Sequence, residues 1–178
     1  IAATATVVIN PLPTGTVTGP TFCEGDSTTV TATPTVAGTY SYAWTVPTGV
    51  TNPGSVPSFT TTVAGNYSVI ITNTATGCVS APMSKVVNVN PKPIVSLAGA
   101  AVCQGQNATL TAVPNVAGSY TYSWIVPTGA TNPGDVATFQ TMIDGNYSVI
   151  ITNTTTTCVS VSATARITVN PLPTVTVS

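Results

Sequence analysis

The chain has 178 residues, of which only 4% are charged, and its formal net charge is −1 at pH 7. The absence of a basic patch argues against nucleic-acid binding, and no apolar run approaches the 18 or more residues of a membrane-spanning helix. The chain contains no His, and its polarity comes mainly from Thr, Ser and Asn.

Two copies of one unit make up the sequence, at an offset of 80 residues. The stretch 65–74 returns unchanged at 145–154, and the two units agree at about half of their aligned positions without a gap. The chain also begins like the end of a unit and ends like the start of one, which is typical of a segment from a longer array. The predicted organisation is 1–10, the last strand of a preceding repeat; 11–90 and 91–170, two complete repeats; and 171–178, the first strand of a following repeat.

Each unit opens with two prolines separated by one residue, which favours an extended, semi-rigid junction. Short segments with strand periodicity then alternate with Gly, Pro and Asn turn signals, and no segment has helical periodicity. About seven short strands per unit predict an all-β fold of tandem immunoglobulin-like β-sandwiches. The strands named in the first unit are expected near 14–23, 27–33, 39–46, 56–63, 66–73 and 78–90.

Aromatic residues mark the expected core. Tyr40 and Tyr42 share one strand face with a tryptophan, and this row could stack on sugars if it faced solvent. We instead expect the row to face inward, with the tryptophan at the centre of the sandwich and a tyrosine corner at the start of the strand predicted at 66–73. The predicted core residues are Trp44, Tyr67, Trp124 and Tyr147.

The four cysteines occupy the same two places in each unit. In a Thr-rich, low-charge β protein they predict disulfide bonds formed in an oxidising compartment. We expect the pairs Cys23–Cys78 and Cys103–Cys158, each of which would stabilise its unit by about 4 kcal/mol in the chain-entropy model. Free buried thiols and pairing between units are the alternatives.

Reactive groups do not recur between the copies. Glu24 and Asp26 are replaced by Gln104 and Gln106, and every other charged residue also stands where the other copy has none. A repeated catalytic or calcium site would keep its carboxylates in at least one complete copy. The sequence therefore predicts no enzyme activity, no metal site and no cofactor.

Four stretches of the first unit carry a resemblance to a known family: 26–32, 40–44, 64–69 and 76–78. They resemble the tandem immunoglobulin-like (PKD-like) repeats of giant Bacteroidota cell-surface adhesins of the gliding-motility type. The resemblance implies an extracellular, cell-surface location after export through the bacterial outer membrane, often by the type IX system. Asp26-Ser27-Thr28 also resembles the O-glycosylation acceptor pattern of these bacteria, which makes Ser27 a possible glycosylation site that the second repeat lacks.

The function expected from these features is that of a structural stalk segment of a long extracellular adhesin or surface filament, which projects a distal adhesive tip. One alternative is a repeated, weak glycan- or surface-binding module that acts by avidity. Another is a spacer in a secreted polysaccharide-degrading enzyme. The expected partners are neighbouring repeats of the same chain, with glycans or other surfaces and lateral self-association as further possibilities.

Overall fold

A computed structural model describes residue 3 and residues 5–175. The described chain forms two compact units, whose boundary lies between Asn90 and Pro91. Residues 1, 2, 4 and 176–178 of the two terminal segments assigned above to neighbouring repeats lie outside the described residues, and the described parts of those segments carry no strand. Each unit is described by itself below.

Each unit is built from short strands and, over the described residues, contains no helix. The strands of the first unit are β1 (Gly15–Thr18), β2 (Phe22–Cys23), β3 (Thr28–Pro34), β4 (Tyr40–Thr45), β5 (Ser58–Thr61), β6 (Gly65–Asn73), β7 (Met83–Val87) and β8 (Val89–Asn90). Those of the second unit are β9 (Val95–Leu97), β10 (Ala100–Cys103), β11 (Ala108–Pro114), β12 (Tyr120–Ile125), β13 (Thr138–Thr141), β14 (Gly145–Asn153) and β15 (Ala163–Asn170).

Two main sheets face each other in each unit, and the first unit also has a separate two-stranded sheet. In the first unit, β1-β3-β5 and β4-β6-β7 are antiparallel, while β2 pairs with β8 in parallel. In the second unit, β9-β11-β13 faces the sheet β10-β15-β14-β12, in which β10 and β15 are parallel. Each unit is therefore an immunoglobulin-like β-sandwich, as the sequence predicts.

Strand alternation explains where the core lies. In β6 the residues Tyr67, Val69 and Ile71 are buried, and in β3 Val30 and Ala32 are buried on the facing sheet. The residues between them on these strands are more exposed, because successive side chains of a strand point to opposite faces. The equivalent residues of the second unit form its core in the same way.

The first and last predicted strands are each interrupted in the structure. The segment expected near 14–23 divides into β1 and β2 around Pro20, which lacks an N–H for the ladder. The segment expected from Cys78 begins as regular strand only at Met83. Before it, Ser80 is held to Ile71 by two hydrogen bonds. Its N–H donates to the Ile71 carbonyl at 2.9 Å, and its Oγ accepts from the Ile71 N–H at 3.0 Å.

Candidate functional site

The two tryptophans lie at equivalent positions inside the sandwiches. Trp44 is 5% exposed, and its Nε1–H donates to the carbonyl of Val56 at 2.8 Å. Its ring meets Phe59 edge-on, with ring centroids 5.0 Å apart. Trp124 repeats these contacts in the second unit. The indole N–H therefore has a hydrogen-bond acceptor and the ring is buried, as expected of a structural core residue.

The tyrosine at the start of β6 ties the preceding loop to the core. Tyr67 is fully buried, and its hydroxyl donates to the Val63 carbonyl at 2.7 Å. The same hydroxyl lies 2.7 Å from Thr61 Oγ1, which also accepts from the Val63 N–H. This is the geometry of a tyrosine corner. Tyr147 makes the corresponding bonds in the second unit.

The rest of the aromatic row does not form a solvent-facing platform. Tyr40 and Tyr42 are partly buried and pack against the core cluster that contains Trp44. The Tyr40 hydroxyl donates to the Val36 carbonyl at 3.0 Å. Stacking on a sugar needs an exposed ring face, so this row offers no ready site for a glycan.

The Pro-Gly loops are nearly identical in the two copies, and their conformation is stabilised by hydrogen bonds of their own residues. Asn52 Nδ2 donates to the Trp44 carbonyl at 2.9 Å, and its Oδ1 accepts from the Gly54 N–H at 2.9 Å. Gly49 and Gly54 have φ values of 90° and 77°, in the left-handed region that glycine adopts at least cost. Turn chemistry therefore accounts for the identity of this loop without a ligand.

The loop also has a role at the sheet edge that the sequence analysis missed. Ser55 Oγ accepts from the Tyr42 N–H at 2.9 Å, and Asp135 Oδ1 accepts from the Tyr122 N–H at 2.6 Å. Both N–H groups lie on an edge strand, where an unpaired donor could otherwise template pairing with another chain. The sequence shows the two residues only as a Ser-to-Asp difference, which gives no hint of a shared acceptor.

The cysteines are not paired as expected. Cys78 and Cys103, one from each predicted pair, carry free thiols. The predicted pairs Cys23–Cys78 and Cys103–Cys158 are therefore wrong.

The register of the strands explains why the predicted pairs cannot form. In the second unit Cys103 is aligned with Asn170, three residues beyond the partner of Gly145 on β15. The carbonyl of Cys158 accepts from the N–H of Asn153, at the other end of β14. Some eleven strand residues separate the two places, or roughly 35 Å. A disulfide requires Cα atoms within about 7 Å.

The first unit has the same arrangement. Cys23 is aligned with Asn90, and the carbonyl of Cys78 accepts from the N–H of Asn73. Because Gly65 and Asn73 are the two ends of β6, the two cysteines again lie at opposite ends of the sandwich. Sequence position alone hides this, since a Cys at each side of a domain reads as a pair when the register is unknown.

The entry and exit of the chain lie at these same two ends. In the second unit Pro91, Lys92 and Pro93 line one pocket together with Asn153 and Thr156. The chain therefore enters at the end that holds Cys158. It leaves at Asn170, beside Cys103.

The first unit repeats this layout. Pro11 and Pro13 share a pocket with Asn73 and Thr76, and Cys78 Sγ lies 3.9 Å from the Asn10 carbonyl. The exit is at Asn90, beside Cys23. In each unit, then, one cysteine accompanies the entry of the chain and the other accompanies its exit.

Charged and modifiable residues are dispersed. Asp144 Oδ1 accepts from Arg166 Nη2 at 2.7 Å, and both side chains are exposed, so the pair contributes less than about 1 kcal/mol. Ser27 is exposed in the turn before β3, while the neighbouring Thr28 is buried and donates its hydroxyl to the Pro20 carbonyl. Within the described part of the chain, no three His, Cys, Asp or Glu residues are placed to hold a metal ion.

A search for membrane spans finds, among the described residues, no helix of the length and apolarity needed to cross a bilayer. No protein-family model matches the sequence. No curated protein matches it significantly.

Solved structures that resemble this chain contain immunoglobulin domains. The titin I-band fragment I67–I69 is 15% identical with a TM-score of 0.47, and the match covers 92% of this chain and 67% of that one. An eight-domain fragment of Down Syndrome Cell Adhesion Molecule is 18% identical with a TM-score of 0.47, covering 89% of this chain and 25% of that one. Dpr11 IG1 bound to DIP-gamma is 16% identical with a TM-score of 0.38, covering 90% and 100%. Similarity at this level concerns the fold alone and gives no information about a ligand or an activity.

Proposed function

We propose that these units are structural stalk segments of a long extracellular adhesin or surface filament. The proposal rests on one observation: the chain enters each sandwich at one end and leaves it at the other. Pro91–Pro93 lies at the Asn153 end of the second unit, and Asn170 lies beyond the Gly145 end. A unit traversed from end to end adds its full strand length, about 35–45 Å with its junction, to a tandem array.

The chemistry of the units supports a mechanical role. Their large aromatic residues lie in the core. The polar atoms of Trp44 and Tyr67 form hydrogen bonds within the unit. Their loops are shaped by Asn and Gly, as at Asn52 and Gly54. With few charges, such a unit keeps its shape over a wide range of salt concentration.

An oxidising, extracellular location fits the disulfide bonding of Cys23, because disulfides persist outside the reducing cytosol. The finer proposal is a bacterial cell-surface protein of the gliding-motility adhesin type, exported through the outer membrane. It rests on the sequence resemblance of the four stretches named above. Distal adhesion, lateral assembly into a filament and glycosylation at Ser27 belong to the same proposal.

The test is a series of chains with two, four and six units, made by repeating residues 11–170. Small-angle X-ray scattering should show a maximum dimension that rises by about 35–45 Å for each added unit. A dimension that stays nearly constant would mean that the array collapses, and it would refute the stalk function.

Binding measurements on the same series test the alternative function, that of a weak glycan- or surface-binding module. Glycan arrays and abiotic surfaces should show no saturable binding at any length. Saturable binding that tightens with the number of units would instead identify an avidity module. The first variants to make would then be Tyr42→Ala and Pro53→Ala, in the aromatic row and the Pro-Gly loop.

A further inference from the structure

The two units differ in how the strand at the chain exit is held, and this difference carries an inference about the chain under tension. We propose that the two units resist a pull unequally, so that the second unit stays folded at a load that unfolds the first. The resistance of each unit is set by contacts within that unit. The inference rests on the proposed stalk function, because a stalk between a surface and a distal tip is where such a pull acts.

A pull on the chain acts on two neighbouring parallel strands of the second unit. The chain enters at the Asn153 end and leaves at Asn170, and β10 runs parallel to β15 with Cys103 aligned to Asn170. Tension therefore draws β10 towards the entry and β15 towards the exit, so the two strands must slide past each other. The hydrogen bonds of a parallel pair lie across the strands, so they share this load and break together rather than one after another.

The parallel pair of the first unit is half as long. There β2 is aligned with β8 over two residues, Phe22 and Cys23, whereas β10 is aligned with β15 over four residues, Ala100–Cys103. The residue equivalent to Ala100 in the first unit is Pro20, which has no N–H for the ladder. Fewer hydrogen bonds therefore share the load in the first unit.

The exit strand of the second unit is also held from its other side, by a carboxylate. The ladder between β14 and β15 ends at the pair Gly145 and Ile167. Two residues further along β15, the N–H of Val169 donates to Asp144 Oδ2 at 3.1 Å, and Arg166 Nη2 donates to Asp144 Oδ1 at 2.7 Å. The Asp144 side chain thus continues the hydrogen bonding of β15 beyond the end of the β14 ladder.

The first unit lacks both side chains of this contact. Ala64 stands at the position of Asp144 and offers no side-chain oxygen, and Val86 stands at the position of Arg166. The exit strand there is interrupted between β7 and β8, whereas β15 runs without a break through Asn170. A short parallel pair and an interrupted exit strand make the first unit the weaker one under this load.

The strand that precedes the parallel pair is held alike in the two units. β1 is aligned with β3 over four residues, and β9 is aligned with β11 over three. Neither β3 nor β11 pairs with the exit strand of its unit. Release of β1 or β9 therefore passes the load on to the parallel pair, and separation of that pair opens the unit.

Unequal units would give a stalk a graded response to tension. The first unit would open under a load that leaves the second folded, and each opening releases on the order of 270 Å of extended chain. An array that contains both kinds of unit would lengthen in steps as the load rises.

The test holds the full chain by its two ends at constant force and records its unfolding steps. A reducing buffer keeps every thiol free, so that no disulfide bond shields part of the chain. Two steps are expected, and their rates should differ by about tenfold or more, because a hydrogen bond to a charged group raises the barrier of one unit alone. Two steps with the same rate would overturn the proposal.

Substitutions identify the unit behind each step. Asp144→Ala should speed the slower step by about tenfold and leave the faster step unchanged. Arg166→Val is the matched control, because it removes the exposed ion pair but keeps the Asp144 carboxylate; it should change the slower step by less than about threefold. Equal effects of the two substitutions, or an effect of Asp144→Ala on the faster step, would contradict the role of Asp144.

The reciprocal experiment moves the contact into the first unit. Ala64→Asp together with Val86→Arg should slow the faster step several-fold, and Val86 is 56% exposed, so its surface can take the longer side chain. Pro20→Ala, which restores a backbone donor, is a second and independent way to slow the same step. Urea unfolding with Trp44 as the reporter shows that each variant is folded before it is pulled. A faster step that keeps its rate in the folded variants would refute the inference.

The outcomes separate this inference from the stalk function itself. Equal rates for the two steps would refute the inequality of the units, while the scattering series would still decide whether the array is extended. A collapsed array would refute the stalk function, whatever the two unfolding rates are.

Discussion

Removing the hydroxyl of the tyrosine corner should destabilise the first unit much more than removing an exposed hydroxyl from the same unit. Tyr67→Phe deletes the bond to the Val63 carbonyl and the contact with Thr61 Oγ1, both 2.7 Å long. The lost hydrogen bond is worth about 1 kcal/mol, and leaving a buried oxygen without this partner costs at least about 1 kcal/mol more. The expected loss is about 2 kcal/mol, or roughly 8–16 °C in the melting temperature of a domain of this size.

Tryptophan fluorescence during urea unfolding measures this loss, because each unit contains one of the two tryptophans. Placing the substitution in a Trp124→Phe background leaves Trp44 as the reporter of the first unit. The parent for comparison carries Trp124→Phe alone, so any effect on the second unit cancels. The midpoint should fall while the slope of unfolding stays unchanged, since the folded surface is the same.

Tyr40→Phe is the matched control. Its hydroxyl also donates to a backbone carbonyl four residues earlier, that of Val36, but this bond is exposed. Water can replace the lost partner, so the expected loss is below about 0.5 kcal/mol. Equal losses for Tyr67→Phe and Tyr40→Phe would refute the argument that burial, rather than the bond itself, sets the cost.

Substitutions at three further positions can be measured by urea unfolding, with Trp44 as the reporter for the first unit and, in a Trp44→Phe background, Trp124 as the reporter for the second. Gly65→Ala should destabilise by more than about 2 kcal/mol, because φ is 147° and a Cβ would lie 2.6 Å from Pro47 Cγ; a loss below 0.5 kcal/mol would contradict this. Thr157→Gly should stabilise the second unit by about 0.5–1 kcal/mol, because a β-branched residue sits at a φ of 60°; unchanged or lower stability would contradict it. Asn52→Ala should cost about 1–2 kcal/mol through its two loop hydrogen bonds, one of them to Trp44, and Asn52→Asp, which keeps only the acceptor, should cost less.

Local pattern was enough to predict much of this protein. The two-residue period and the turn residues predict the strands, because a half-buried strand must alternate and a tight turn needs Gly, Pro or Asn. Trp44 and Tyr67 were identifiable as core residues because large aromatic side chains on an inward face bury the most surface. The internal repeat predicted the second unit from the first.

Which distant residues lie close together could not be predicted from local pattern. Whether Cys23 can reach Cys78 depends on strand register and on which end of β6 each one borders, and both are set by hydrogen bonds between distant segments. The acceptors that Ser55 and Asp135 provide to an edge strand depend on how a loop folds back across the sheet. The sequence by itself therefore determined the type of fold, the repeat and the composition of the core, whose causes are local. Only the tertiary structure decided which ends of the sandwich hold the cysteines, because long-range pairing places residues that local pattern leaves unrelated.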